Sequence, residues 1–197
     1  MITVGKDKVL IGCSGVLSLD GPDEKNEHVR NSGMQRYFCD DAIHSFGSKG
    51  VRTSVLRLSP IVHAQGYEHL FIAPQIALAK KSGYVAYIEG IDPVWPATAS
   101  SDVGALFVAA LEKAPSGSNL HAIGELGIPV RDITKFIAKK LNLELKGIAK
   151  EEAMAYFGFL GLILQMGHKV SNEWTKETTG WNPAGRTLFD DLEAYTY

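Results

Sequence analysis

Apolar and polar residues follow two rhythms along this chain, and each rhythm predicts a different kind of element. Lys8-Val-Leu-Ile-Gly-Cys13 is a short apolar run that starts at a charge and leaves through Ser14-Gly15, the pattern of a buried strand. From Leu19 to Ser32 the chain is polar, carries Gly21-Pro22 and reads as a loop. Between Met34 and Phe46 the spacing turns helical, with Tyr37, Phe38, Ala42 and Ile43 able to share one face. Gly50 then leads into a second strand, Val51 to Arg57. Strand, helix, strand is a βαβ unit, which implies a parallel pair with a right-handed crossover.

Past Pro60 the texture changes. Phe71 to Lys81 predicts a helix and Tyr84 to Glu89 a short strand. Val103, Leu106, Phe107, Ala110 and Leu111 recur on one helical face, with Asp102 placed as an N-cap. Leu120 to Ile123 reads as another strand. Ile133, Phe136, Ile137 and Leu141 mark an amphipathic helix, and Glu151 to Met166 a further one. Gly180-Trp-Asn-Pro183 reads as a turn before a terminal helix over Thr187 to Tyr195. Gly158 and Gly161 fall inside a helical pattern rather than after a strand, so they signal packing and not phosphate binding.

Composition narrows the function classes. A chain of 197 residues is ordinarily one domain, or one with a subdomain. Hydrophobic residues at 45% and charged residues at 21% suit a globular chain and argue against wholesale disorder. A formal charge of −2 without any Lys/Arg block argues against nucleic acid and anionic membrane as partners. Cys13 and Cys39 are too few for a disulfide framework and read as free thiols. The first eight residues lack a signal-peptide core, and no apolar run reaches membrane-spanning length, so the expected location is cytoplasmic. His28, His44, His69, His121 and His168 show no ligand spacing, and no metal site is expected.

From about Lys8 onward the chain resembles the C-terminal part of the NAD-dependent epimerase/dehydratase family, the extended or atypical short-chain dehydrogenases. Val9-Leu-Ile-Gly-Cys-Ser-Gly15 looks like the strand ending in that family's active-site Ser/Thr. Gly50 to His63 looks like the next strand and the loop beside the nicotinamide. Trp95-Pro-Ala97 with Ser101-Asp102-Val103, then Asn119 to Glu125 with Ile128 to Ile133, and finally Gly180-Trp-Asn-Pro183, follow in the family's order. The resemblance implies an α/β fold: a partial Rossmann-like parallel sheet, with its N-terminal strands missing, and a mostly helical substrate-binding subdomain. It divides the chain into residues 1–66, a partial dinucleotide-binding domain, and residues 67–197, mainly the substrate-binding subdomain, with a strand at about 119–123 returning to the main sheet.

Two departures accompany the likeness. No strand-Gly-x-x-Gly-x-x-Gly-helix unit stands in the sequence, so the backbone cradle and helix N-terminus that bind a cofactor pyrophosphate have no counterpart. The family's Tyr-x-x-x-Lys pair falls at Ser32 and Arg36 when counted back from Gly50. The nearest tyrosine, Tyr37, has Asp41 four residues on, and a carboxylate raises a phenol's pKa where a lysine lowers it.

The resemblance implies Ser14, Ser32 and Arg36 at the catalytic positions, Pro60, Ile61, Val62 and His63 beside the cofactor, and His63 and Trp95 toward the substrate. Ser14 is either a donor to a substrate carbonyl or a turn serine bonded to its own backbone. Trp95 is either a pocket wall or part of a subdomain core. Arg57 reads as structural. The implied activity is that of an NAD- or NADP-dependent oxidoreductase relative acting on a small carbonyl or secondary-metabolite substrate, inactive as this chain alone and with weak or no cofactor binding. The other reading is a non-catalytic relative that binds a ligand or a partner chain. Missing neighbours leave Val9, Leu10 and Ile11 on a sheet edge, which invites self-association or a covering partner chain.

Overall fold

The computed structural model describes residues 8–19, 26–29, 37–67, 69–167 and 169–195. The βαβ unit is present. Strand β1 (Val9–Gly15) leads through a 3-10 turn, Val16–Ser18, toward helix α1 (Tyr37–Ser45), and a 3-10 turn at Phe46–Lys49 precedes strand β2 (Arg52–Leu58). The two strands pair in parallel, Val9 opposite Arg52 through Gly15 opposite Leu58. Gly50, at φ 77°, makes the left-handed turn into β2 that a side chain would resist. The remaining elements are β3 (Ile61–His63), α2 (Ala73–Ser82), β4 (Tyr84–Ile88), β5 (Val94–Ala99), α3 (Ser100–Lys113), β6 (Ser118–Ala122), β7 (Glu125–Pro129), α4 (Val130–Leu141), β8 (Glu144–Ile148), α5 (Ala153–Phe157), α6 (Leu160–Ile163), α7 (Glu173–Thr179) and α8 (Leu188–Ala194).

Three small sheets organise these strands, ordered β1-β2-β6, β3-β5-β7 and β4-β8. The first is wholly parallel, with Ser54 opposite Ser118 through Leu58 opposite Ala122. Helices cover both of its faces, the arrangement a parallel sheet needs to bury apolar side chains on each side. On one face α1 comes close because Gly12 has no side chain: a Cβ there would lie 1.8 Å from Ile43 Cδ1. On the other, Leu106 and Ala110 of α3 pack with Leu56, Leu120 and Trp181. Arg52 ties the strand to that helix by donating to the carbonyls of Ala110, Ala114 and Leu111 at the helix C-terminus, where backbone donors run short. Strand β1 pairs on one side only among the described residues, and Val9, Leu10 and Ile11 are half-buried along it. This is the expected α/β class, a partial Rossmann-like parallel sheet followed by a mainly helical part.

A second core lies beneath the other two sheets, where Trp95, Ile133, Ile137, Leu188 and Leu192 are fully enclosed. The structure differs from the sequence expectation at three places here. The single helix expected over 151–166 is two short ones, because Gly158 at φ 60° stops α5, and Gly161 lets α6 fold back onto the carbonyl of Ala153. Helix α7 was not expected, since its inward face is polar: Thr175 and Thr179 are fully buried. Asp102 does not cap α3 by side-chain hydrogen bonding. It lies within the helix, and its carboxylate accepts from Ala184 N at 3.1 Å and Gly185 N at 2.9 Å, while its carbonyl accepts from Trp181 Nε1 at 2.9 Å. Asp102 therefore anchors the C-terminal segment onto α3. No helix among the described residues is long and apolar enough to cross a membrane.

Candidate functional site

Strands β1 and β2 run in parallel and end together, and a cavity of about 390 Å³ opens beyond those carboxyl ends. One wall is the strand exits themselves: Ser14 and Gly15 from β1, Leu58 and Ser59 from β2, and the crossover Pro60, Ile61 and Val62 into β3. The opposite wall comes from the helical part, with His69, Leu70 and Phe71 before α2 and Phe159, Ile163 and Met166 around α6. Leu17 completes the lining.

The crossover is held by a buried polar chain. Ser59 Oγ lies 2.8 Å from Ile61 O and 3.0 Å from Thr98 Oγ1 of β5. Thr98 Oγ1 in turn donates to Ala122 O at 2.6 Å and accepts from Gly124 N at 3.0 Å. These contacts fix Pro60–Val62 against β5 and β6, so this wall is preformed.

Among the described residues, two polar atoms in the lining have no hydrogen-bond partner. Ser14 Oγ is buried and unpaired, although a turn serine would bond its own backbone. His69 Nε2 is also buried and unpaired. Among the described residues the lining holds no Lys, Arg, Asp or Glu. Burial, and next the adjacent His63, push the His69 imidazole below its ordinary pKa, which keeps it neutral near pH 7.

His63 takes a different place from the one the resemblance implied. It is buried, but its ring turns away from the cavity lining and toward two carboxylates. Nδ1 is 2.8 Å from Asp191 Oδ2 on α8, and Nε2 is 3.6 Å from Glu125 Oε1 on β7. The second distance is beyond hydrogen bonding and acts through charge. Burial alone would push the imidazole down, but Glu125 and Asp191 together outweigh it and the net shift is upward. Asp191 Oδ1 also accepts from Arg186 Nε at 2.7 Å, and Glu125 Oε1 accepts from Leu188 N at 2.7 Å. The cluster docks the terminal helix, so His63 holds a structural contact beside the site.

Trp95 likewise lies behind the wall and not on it. The residue is fully buried, its Nε1 donates to Met166 O at 2.6 Å, and its ring packs against Phe71 at 5.7 Å between centroids. It positions two lining residues without facing the cavity. Arg57 is structural as expected: it pairs with Asp40 Oδ2 at 3.3 Å and donates to the carbonyls of Glu27 and Val29. Ser32 and Arg36 lie outside the described residues, as does His168. The structure thus brings Ser14 together with Pro60, Ile61 and Val62, and adds His69, which sequence reasoning passed over as one of several unrelated histidines. Its sole signal is its place directly before the apolar Leu70-Phe71-Ile72 run. Among the described residues no cluster of His, Cys, Asp and Glu could hold a metal ion.

No family model matches the chain. An uncharacterized protein of Schizosaccharomyces pombe is 41% identical over 196 residues, which cover 98% of this chain and 66% of the relative. An uncharacterized protein of Saccharomyces cerevisiae is 31% identical over 193 residues, covering 96% of this chain and 64% of the relative. The chain therefore spans 66% and 64% of the length of these curated relatives. Among solved structures, UDP-glucuronic acid 4-epimerase of Bacillus cereus in complex with NAD matches 95% of this chain and 60% of its own, at TM-score 0.71 and 13% identity. RMD of Pseudomonas aeruginosa complexed with NADPH matches 94% and 64%, at TM-score 0.67 and 15% identity. A dTDP-glucose 4,6-dehydratase of Streptomyces venezuelae with NAD bound matches 93% and 56%, at TM-score 0.68 and 14% identity. These likenesses show the fold alone: the chain shares the architecture of the matched part of each of these solved proteins.

Proposed function

We propose that this chain forms the substrate-side part of an NAD(P)-dependent epimerase/dehydratase-like oxidoreductase acting on a small carbonyl or secondary-metabolite substrate. The observation that carries this reading is the position of the cavity. It lies outside the carboxyl ends of β1 and β2, where open parallel sheets take their ligands, with Ser14 and Pro60–Val62 as its wall. Solved proteins of the same fold hold NAD or NADPH, which supports a nicotinamide cofactor here.

The residues present fit the nicotinamide half of such a cofactor and not its phosphates. Pro60, Ile61 and Val62 offer a flat apolar wall for the ring, and the unpaired Ser14 hydroxyl is placed to donate to a substrate carbonyl. Nicotinamide, when bound, supplies or accepts a hydride. The chain's own contribution is to orient the carbonyl through Ser14 and to exclude water with the aliphatic and aromatic walls. The pyrophosphate has no glycine fingerprint to receive it, and Ser32 and Arg36 cannot act as a tyrosine poised by a lysine. This chain alone is accordingly inactive and binds NAD(P) weakly. The same substitutions favour a second reading, a non-catalytic relative that uses the cavity to bind a ligand or partner.

Isothermal titration of the purified chain with NAD, NADH, NADP and NADPH tests the reading. A charge-assisted hydrogen bond contributes about 1.5–3 kcal/mol, and each tenfold in affinity is about 1.4 kcal/mol. Losing several phosphate contacts leaves a dissociation constant weaker than about 1 mM. Low-micromolar binding by the chain alone would overturn the assignment of an incomplete half-site.

A further inference from the structure

We infer that the cavity takes an uncharged, largely apolar molecule through one carbonyl or hydroxyl oxygen, held between the Ser14 hydroxyl and the His69 ring. This rests on the cavity being the ligand site proposed above. It adds His69 to that site and separates its ligand from the nucleotide sugars named for the solved proteins of this fold.

The first support is the pair of orphaned polar atoms. Ser14 is 1% exposed and His69 6%, both line the same cavity, and neither Oγ nor Nε2 has a hydrogen-bond partner among the described residues. Leaving a buried polar atom unpaired costs about 1–3 kcal/mol, so two in one cavity mark where a ligand atom belongs. One carbonyl oxygen has two lone pairs and accepts from both the serine O–H and the histidine N–H. An alcohol in the same place accepts from one and donates to the other, according to the imidazole tautomer.

The second support is what the cavity lacks. A nucleotide sugar carries a pyrophosphate with two negative charges, and a buried anion requires paired cations or a set of charge-assisted donors. Among the described residues the lining supplies no lysine or arginine. Leu58, Ile61, Leu70, Phe71, Phe159 and Met166 present aliphatic and aromatic surface instead. Leu70 and Phe159 are largely exposed, so that surface extends to the cavity mouth. A volume near 390 Å³ is at the small end for ligand pockets, about 300–1,000 Å³, and suits a compact molecule.

The third support is that His69 is held in place. Its carbonyl accepts from Ile72 N at 3.0 Å and Ala73 N at 2.9 Å at the start of α2, and its ring packs edge-on to His63 at 6.4 Å. The docked His63 therefore fixes the ring on the side away from the ligand.

The test uses the chain with its histidine rings labelled with nitrogen-15, titrated with 1-tetralone and 2-octanone as uncharged ketones and with UDP-glucose as the charged alternative. The expected result is a saturable shift of the His69 Nε2 resonance with the ketones and none with UDP-glucose. His69→Phe and Ser14→Ala each weaken ketone binding by about fivefold, the effect of one neutral hydrogen bond, while His69→Gln, which keeps a donor, stays within about twofold of the parent. The inference is overturned if both ketones leave His69 unmoved up to their solubility, if UDP-glucose saturates the site, or if His69→Phe binds as well as the parent. Should His69→Phe fail to fold, the parent's own His69 resonance decides the matter. No cofactor enters this titration. A missing ketone response beside the expected cofactor behaviour defeats this inference alone, and tight cofactor binding beside a ketone response defeats only the half-site reading.

Discussion

His63 Nδ1 lies 2.8 Å from Asp191 Oδ2, a contact between residues 128 positions apart. It joins the strand that leaves the cavity wall to the last helix of the chain. Both side chains are fully enclosed, and Arg186 and Glu125 complete the cluster. The C-terminal helix is thereby coupled to the backbone that carries Pro60–Val62, and through the His63 ring to His69.

This cluster makes stability depend on pH. The folded pKa of His63 is raised, so its contribution is complete below the ordinary imidazole value of about 6.5 and is lost as pH rises through the folded value. His69 has the opposite sign. Its folded pKa is depressed, so its contribution is present above about 6.5 and is lost as pH falls through the folded value. We expect these two groups to give a stability maximum close to pH 6.5. Asp191→Asn should lower stability at that pH by about 1.5–3 kcal/mol and flatten the alkaline limb. Urea unfolding across pH 5 to 9 checks both effects, and an unchanged alkaline limb in Asp191→Asn would contradict the assignment.

Gly161 sets how closely α6 approaches α5. A Cβ there would meet Ala153 O at 2.5 Å and Ala153 C at 2.8 Å, both backbone atoms that cannot swing aside. Gly161→Ala should therefore destabilise the chain by about 1–3 kcal/mol despite alanine's better helix propensity. It should also weaken any cavity ligand, because Phe159 and Ile163 flank it in the wall. Denaturant midpoints of parent and variant decide this, and a stabilised Gly161→Ala would refute the close-packing account.

The edge of β1 makes a prediction about association. Val9, Leu10 and Ile11 are half-buried, and the strand pairs on one side only among the described residues. We propose that a second copy or a partner chain covers this edge. In reducing buffer, with Cys13 and Cys39 kept as thiols, light scattering after size exclusion should show a mass that rises with concentration. Cys13→Lys places a charge at an exposed position of the edge strand and should shift the chain toward monomer. A monomer at every concentration would remove the proposal.

What could be read from the sequence follows from where each signal resides. Strands β1 and β2 and helices α2 and α4 were legible because local apolar spacing alone specifies them. Strand β5 was not, since Pro96 in Val94-Trp-Pro-Ala-Thr-Ala99 argues against a strand by local rules. The structure tolerates Pro96 beside an irregularity in the β5–β7 ladder between Trp95 and Ala97. Helix α7 escaped for the reverse reason, as buried threonines imitate a solvated face. In the site, Ser14 and Pro60–Val62 could be placed because strand ends are visible locally. The parts played by His63 and His69 could not, because one depends on a carboxylate far along the chain and the other on a cavity whose walls come from distant parts of the sequence.

The central claim is that Ser14 and Pro60–Val62 form the wall a nicotinamide would meet. Its most direct test is amide and methyl chemical-shift mapping of the isotope-labelled chain with NADH raised into the millimolar range. The expected result is a weak, graded response concentrated at Ser14, Gly15, Ile61 and Val62. Shifts concentrated away from the ends of β1 and β2, or none at any of these residues, would contradict it.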